Sequence, residues 1–351
     1  MNTIKEYIAE QPSTWRAMLA APPQAMITAA VNRCERILLI GTGSSYNAAV
    51  AAAPLFEKLL KAETTAVMPT RIPKCLPDGA HTLVMVISQS GCSTSTMKSA
   101  LAFHQAGYQV VAVTADEHSP IASCCKLHWL VGCGEETIGP KTKGVTGTIL
   151  ALYLFAISLA QSWQSATHEQ ITAVMSALAL SFDNAQENLR RSEAFVHRHL
   201  DALIARPHFT FISEDVGYPT AMESALKVLE TLYVPAYAYE FEEYLHGVQN
   251  TIAKTQCNIL LAATEQNAER MVRLDAFAMD KGCMQMVVTT LAAIPPAPHV
   301  LHLLGSGDPL TLPFELMFFG QLLSAHGSAA KGINCNKPQF PEYIRLMETK
   351  E

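Results

Sequence analysis

The sequence predicts an α/β protein of two similar doubly wound domains in tandem, and three observations carry that prediction. Its 351 residues suffice for two ordinary domains, each burying its own core. Strand-like and helix-like periods alternate along the first half, the pattern of βαβ units wound around a parallel sheet. The second half then repeats the first.

The elements follow in order. Apolar positions at helical spacing run over residues 3–31 and break at Ala21-Pro22-Pro23, which predicts two N-terminal helices. Strands are expected at Arg36–Ile40, Thr65–Met68, Leu83–Ser88, Gln109–Thr114 and Leu127–Val131. Helices are expected at Asn47–Leu60 and Thr94–Ala106, with a long one from about Val145. The repeat can be checked in register. Ile37-Leu38-Leu39-Ile40 followed by Tyr46 corresponds to Phe209-Thr210-Phe211-Ile212 followed by Tyr218, an offset of 172; Leu127-His128-Trp129-Leu130 meets Leu301-His302-Leu303-Leu304 at 174. A polar helical stretch between Thr167 and Leu200 links the halves. The expected organisation is therefore N-terminal helices over 1–30, a first domain over 31–165, a linker helix over 166–200 and a second domain over 201–351, each domain flavodoxin-like.

Composition excludes several function classes. With 49% hydrophobic and 16% charged residues, the chain is neither disordered nor fibrous. The apolar stretch Ile149–Ala160 is shorter than the roughly 20 residues of a membrane-spanning helix, so no membrane association is expected. The N-terminal stretch MNTIKEYIAEQPSTW has no apolar signal core, which makes cytoplasmic the expectation. Nine scattered cysteines without a C-x-x-C spacing argue for reduced thiols rather than disulfides or zinc. A net charge of −6 without basic runs removes the footprint of nucleic-acid binding, and any anionic ligand must be held by local dipoles.

Two loops in the first half have that capacity. Gly41-Thr42-Gly43-Ser44-Ser45-Tyr46 and Ser88-Gln89-Ser90-Gly91-Cys92-Ser93-Thr94 each end a predicted strand and open a helix, where unpaired N–H groups and the helix dipole favour an anion. Ser45, Ser88, Gln89, Ser90 and Ser93 add neutral donors. The same serines read equally as plain helix N-caps. A dinucleotide fingerprint is not matched, because Tyr46 stands at the third glycine and no acidic residue ends the following strand. In the second half the equivalent stretch is Ala262-Ala263-Thr264-Glu265-Gln266, where the serines are gone and a carboxylate has entered, so only the first repeat should hold phosphate.

Acid–base candidates lie in the second half. Glu223, Lys227 and Glu230 share a helix face, a pattern that on spacing alone reads as a salt-bridged surface helix. His246 follows Glu242-Glu243-Tyr244-Leu245 in a predicted loop, and no second His or Cys stands at ligand spacing from it, so no metal is expected. The aromatics Tyr233, Tyr237, Tyr239 and Phe241 are near enough in sequence to enclose Glu230.

Taken together, these segments resemble the sugar-isomerase (SIS) domains of glutamine:fructose-6-phosphate amidotransferase and its relatives. The GTSYN-type loop is similar to Gly43-Ser44-Ser45-Tyr46-Asn47, the SQSGET-type loop to Ser88-Gln89-Ser90-Gly91-Cys92-Ser93, and the TEIGVASTK segment to residues 135–143. The ALEGALKLKE helix is similar to residues 221–230 and the GELKHGP loop to residues 242–247. The resemblance implies two tandem SIS domains, phosphate held by Ser45, Ser88, Gln89, Ser90 and Ser93, Glu230 as general base, and His246 as an acid donated across a homodimer or higher oligomer with shared active sites. Gly43, Ser44, Glu136 and Tyr343 become further substrate contacts, and no cofactor is required.

Three departures sharpen the expectation. No glutaminase segment or N-terminal cysteine nucleophile is present, so glutamine is not the expected nitrogen source. Tyr343 stands where the family's C-terminal tail carries a carbonyl-reactive lysine, and Cys92 replaces the loop Glu. A chain keeping the Glu and His without that lysine resembles the deglycases that cleave 6-phosphorylated fructosamine or glucoselysine conjugates to hexose 6-phosphate and a free amino acid. An aldose–ketose phosphosugar isomerase, a glucosamine-6-phosphate deaminase and a non-catalytic phosphosugar-binding regulator are the alternatives.

Overall fold

The computed structural model describes residues 3–21, 24–76 and 79–350. Two of the residues that break the N-terminal helices, Pro22 and Pro23, lie outside the described set. In chain order the elements are α1 (Ile4–Ala20), α2 (Ala25–Ala29), β1 (Arg36–Ile40), α3 (Ser44–Leu60), β2 (Glu63–Val67), β3 (Thr82–Ile87), α4 (Thr94–Gln105), β4 (Gln109–Thr114), α5 (Pro120–Ser123), β5 (Leu127–Leu130), α6 (Lys143–Trp163) and α7 (His168–Ile204). The second series is β6 (His208–Ser213), α8 (Tyr218–Leu232), β7 (Ala236–Glu240), α9 (Phe241–Leu245), β8 (Gln256–Ala262), α10 (Ala268–Asp280), β9 (Met284–Thr289), β10 (Val300–His302), α11 (Leu312–Ala330) and α12 (Pro341–Leu346).

The chain is α/β with two parallel five-stranded sheets. The first has the order β2-β1-β3-β4-β5 and the second β10-β9-β8-β6-β7. Counted from its own first strand, the second sheet has the same order, 2-1-3-4-5, that of a doubly wound sheet. The offset-172 repeat is thus a repeat of topology: Arg36 and His208 open equivalent strands.

The chain divides into two compact units. One comprises Ser13–Thr137, Lys143–Met175 and Lys337–Glu351; the other comprises Met1–Pro12, Ile138–Thr142 and Ser176–Asn336. Within the first-sheet unit, β3 reads TLVMVI and is buried at every residue, as expected of a central parallel strand covered on both faces. Helix α6 is long and apolar enough to cross a membrane, yet 89% of its most apolar window is buried inside the protein. Phe155 of α6 meets Trp129 of β5 edge-on at 5.1 Å, and Trp15 of α1 donates from Nε1 to Thr146 Oγ1 at 3.1 Å. Within the second-sheet unit, β8 is buried throughout, and α8 and α11 pack so closely that a side chain at Gly320 would collide with Ser224.

Candidate active site

In an open parallel sheet, ligands bind outside the carboxyl ends of the strands where the winding reverses, here between β1 and β3. These strands pair directly, Ile40 opposite Val86, so the two hydroxyl-rich loops emerge side by side. Gly43, Ser44 and Ser45 turn from β1 into α3. Ser88 to Ser93 turn from β3 into α4.

Backbone geometry shapes the second loop. Gly91 has φ +70° and its Cα faces Ser119, so any side chain there would be strained and would collide; the carbonyl of Gly91 accepts from Ile121 N at 3.0 Å. Ser88 is buried, with its Oγ accepting from Ser93 N at 3.4 Å, while Ser90 is exposed. The plain N-cap reading of the serines does not describe Ser93: its hydroxyl pairs with Thr96 Oγ1 at 3.0 Å and caps no backbone N–H. Gln89 lies against the first turn of α6, where Gly144 leaves it room. Glu136 is buried beside it, and its Oε2 accepts from Gly144 N at 2.7 Å, which satisfies an otherwise orphaned N–H and sets negative charge at the positive helix end. The C-terminal segment reaches this loop: Thr94 N donates to Thr349 O at 3.4 Å, and Lys350 forms an isolated bridge with Ser93. Tyr343, on α12 of this same segment, is exposed.

The equivalent crevice of the second sheet, between β6 and β8, is filled from within. The carboxylate of Glu214, buried at the end of β6, accepts from Thr264 Oγ1 at 2.6 Å, from Thr264 N at 3.3 Å and from the Asn267 amide. Sequence reading assigned the incoming carboxylate to Glu265, which is exposed; the group inside the crevice is Glu214, delivered by the neighbouring strand.

Helix α8 follows. Its face with Glu223, Lys227 and Glu230 is not a surface face: Glu223 is 0% and Lys227 1% exposed, with Glu230 at its rim. Lys227 Nζ is 3.4 Å from Glu223 Oε1 and hydrogen-bonds Glu230 Oε2. Burial pushes the Lys227 ammonium toward neutrality, but the two carboxylates outweigh it and hold its pKa above the ordinary lysine value. The lysine that spacing assigned to a surface pair is therefore a buried cation that orients Glu230. The expected aromatic enclosure is absent in part, since Tyr233 and Tyr237 are exposed and Phe241 is buried in the core under α9.

His246 ends α9, a short helix where a loop was expected. Glu240 caps it, accepting from Glu242 N at 2.8 Å and Glu243 N at 3.2 Å. Tyr244 is buried and its hydroxyl accepts from Asn258 Nδ2 at 2.9 Å, while Arg270 forks onto Glu242. The turn is thus pinned, and Gly247 at φ +119° reverses the chain after it. His246 itself is exposed. Among the described residues, neither a hydrogen bond nor an ion pair joins it to Glu230.

Residues 31–158 match the SIS domain model. This stretch is similar to the SIS domain. The match runs from before β1 into α6 and contains both hydroxyl loops. Among curated relatives, a glutamine–fructose-6-phosphate aminotransferase [isomerizing] of Campylobacter jejuni is 29% identical over 70% of this chain and 42% of its own length. The chain spans about half the length of the curated relatives it matches. Among solved structures, a proposed phosphosugar isomerase from Clostridium difficile 630 shares the fold with a TM-score of 0.91 at 22% identity, covering 100% of this chain and 99% of that one. Glucosamine-6-phosphate deaminase from Thermotoga maritima gives 0.76 at 20% identity over 96% and 98%. The second sheet shares the strand order of the first, and these overlaps along nearly the whole chain show the fold of both sheets.

Proposed function

We propose that this chain is a deglycase acting on a 6-phosphorylated sugar–amino acid conjugate of the fructosamine or glucoselysine type, releasing hexose 6-phosphate and a free amino acid. Ser45, Ser88, Gln89, Ser90 and Ser93 hold the phosphate through neutral donors and helix N-termini, which suits an anion bound by a chain of net charge −6. Gly43, Ser44 and Tyr343 are further substrate contacts, and Glu136 supports the pocket by holding the start of α6. Glu230 is the general base and His246 the general acid.

The observation that carries this reading is the state of Lys227. It is the lysine beside Glu230, and it is fully buried between two carboxylates with a raised pKa, so it is held as ammonium and is no nucleophile for a sugar carbonyl. Tyr343 takes the tail position at which the family resemblance expects a lysine. A conjugate that already carries its amine needs no enzyme amine. For a ketoamine, Glu230 takes a proton from C1, giving an enaminol. Protonation of C2 with His246 as the acid gives the aldose imine, and water adds to that imine to yield hexose 6-phosphate and the amine. The exposed, pinned turn of His246 suits delivery of the imidazole to the site of a second copy in a homodimer or higher oligomer.

The test is incubation with 6-phosphorylated fructose– and glucose–amino acid conjugates and assay of both products. Release of amino acid with hexose 6-phosphate supports the deglycase. Ammonia from glucosamine 6-phosphate, or aldose–ketose interconversion without amine release, replaces it with a deaminase or an isomerase, and binding without turnover replaces it with a regulator.

A further inference from the structure

Among residues the proposed chemistry does not use, α7 and α11 bring together three side chains of metal-ligand type. Glu193 and His197 stand four residues apart on α7, the spacing that puts two donors on one helix face. His326 joins them from α11. One donor atom from each lies within 4.8 Å of the other two. Glu193 Oε1 is 3.4 Å from His326 Nε2 and 3.9 Å from His197 Nε2, and the two imidazole centroids are 4.2 Å apart. A tetrahedral zinc ion with bonds of about 2.0–2.2 Å holds its donors roughly 3.4 Å apart; Glu193 Oε1 and His326 Nε2 already stand at that spacing, with His197 Nε2 somewhat farther from the carboxylate.

His326 gives the cluster its direction. Its side chain is 11% exposed, and its Nε2 is buried without a well-formed hydrogen bond among the described residues, despite the nearby carboxylate. A buried nitrogen that faces a carboxylate at 3.4 Å without forming a well-aligned hydrogen bond calls for an explanation, and a bound cation supplies one. Lys5 Nζ, 2.7 Å from Glu193 Oε1, occupies the carboxylate that a metal would share. Glu193 and His197 are partly open to solvent, which leaves an entry path and a fourth position for water.

We propose that Glu193, His197 and His326 form a site for a divalent transition-metal ion of the zinc type, clipping α7 to α11. The clip stiffens the helix that packs on α8 and is independent of the proposed deglycase chemistry.

The test uses the purified full-length chain, stripped with a chelator and titrated with zinc chloride by calorimetry, with cobalt(II) absorption as the report on geometry. The expected result is one site per chain with a tetrahedral cobalt spectrum and a zinc-dependent rise in Tm. His197→Ala and His326→Gln should each weaken binding by about tenfold or more and abolish the Tm rise, while Lys5→Met should tighten it. Because His197 is exposed, its variant keeps the test decisive if His326→Gln destabilises the fold. Zinc binding unchanged in His197→Ala, as sites built from the nine cysteines would give, overturns the proposal, as does the absence of saturable binding.

Discussion

The two sheets share one strand order, yet their switch-point crevices are furnished in opposite ways. In the first, the strand ends carry serines, a glutamine and glycines, and the helix starts lack side-chain caps. In the second, Glu214 fills the crevice and takes the donors of Thr264 and Asn267. The helix after each first strand differs as well. Helix α3 buries Ala48, Ala49, Ala51 and Ala52, while α8 buries Glu223 and Lys227. Topology thus provides a switch-point crevice twice; an internal carboxylate fills the second, and ionisable groups reappear one helix further on.

The contrast can be attacked where it is strongest. Lys227→Met leaves Glu223 buried without its cation, and should destabilise the chain by about 3–5 kcal/mol, toward the lower end because Glu230 is one-third exposed. Urea unfolding measures it. Since the folded-state pKa of Lys227 is raised, its contribution is fully present below the unfolded lysine value of about 10.4 and is lost as pH climbs through the folded value. The wild type should therefore weaken more steeply than the variant in the alkaline range.

Glu230→Gln tests α8 as the source of the base. Turnover of the preferred conjugate should fall about 10²–10⁴-fold with the fold intact, and an undiminished rate would remove Glu230 from the chemistry. Ser90→Asp gives the first crevice a charge like that of the second. Loss of a charge-assisted donor should raise the Kd for hexose 6-phosphate about 10–100-fold by calorimetry, and an unchanged Kd would move the phosphate elsewhere.

The reverse exchange is Glu214→Ala, which strands the Thr264 hydroxyl and the Asn267 amide. Stability should drop by about 1–3 kcal/mol, with inorganic phosphate restoring part of the loss in a thermal melt. No response to phosphate would mean that more than the carboxylate separates the two crevices. The smallest effect concerns Glu315, a buried carboxyl whose pKa is raised by burial. A raised acid contributes favourably below its ordinary pKa and loses that contribution as pH rises through the folded value. Glu315→Gln keeps an oxygen for Ser306 N and Thr311 Oγ1, so Tm should rise by about 2–4 °C at neutral pH and hardly at all near pH 4.

Much of the fold was legible. Arg36–Ile40 and Gln109–Thr114 are strands with the bounds read from their apolar runs, because both are central or near-central strands with turn residues at their ends. The start of α3 at Ser44 rather than Asn47 was missed because no side-chain cap marks it. The hydroxyl loops could be found, since glycine and serine after a strand advertise a turn into a helix. Lys227 could not be told from a surface lysine, because helical spacing says which residues share a face and not which face another helix covers. Glu214 was overlooked because its partners, Thr264 and Asn267, are about fifty residues away in sequence.

The sequence by itself determined the period of each element, the repeat, and the residues proposed to bind an anion or move a proton. All of these are properties of neighbours within a turn or a loop. Tertiary structure alone decided which polar groups became internal: Glu214 a crevice filler, Lys227 a buried cation, His326 a nitrogen facing Glu193. Burial is set by what packs against a side chain from a distant part of the chain, and no local pattern records that.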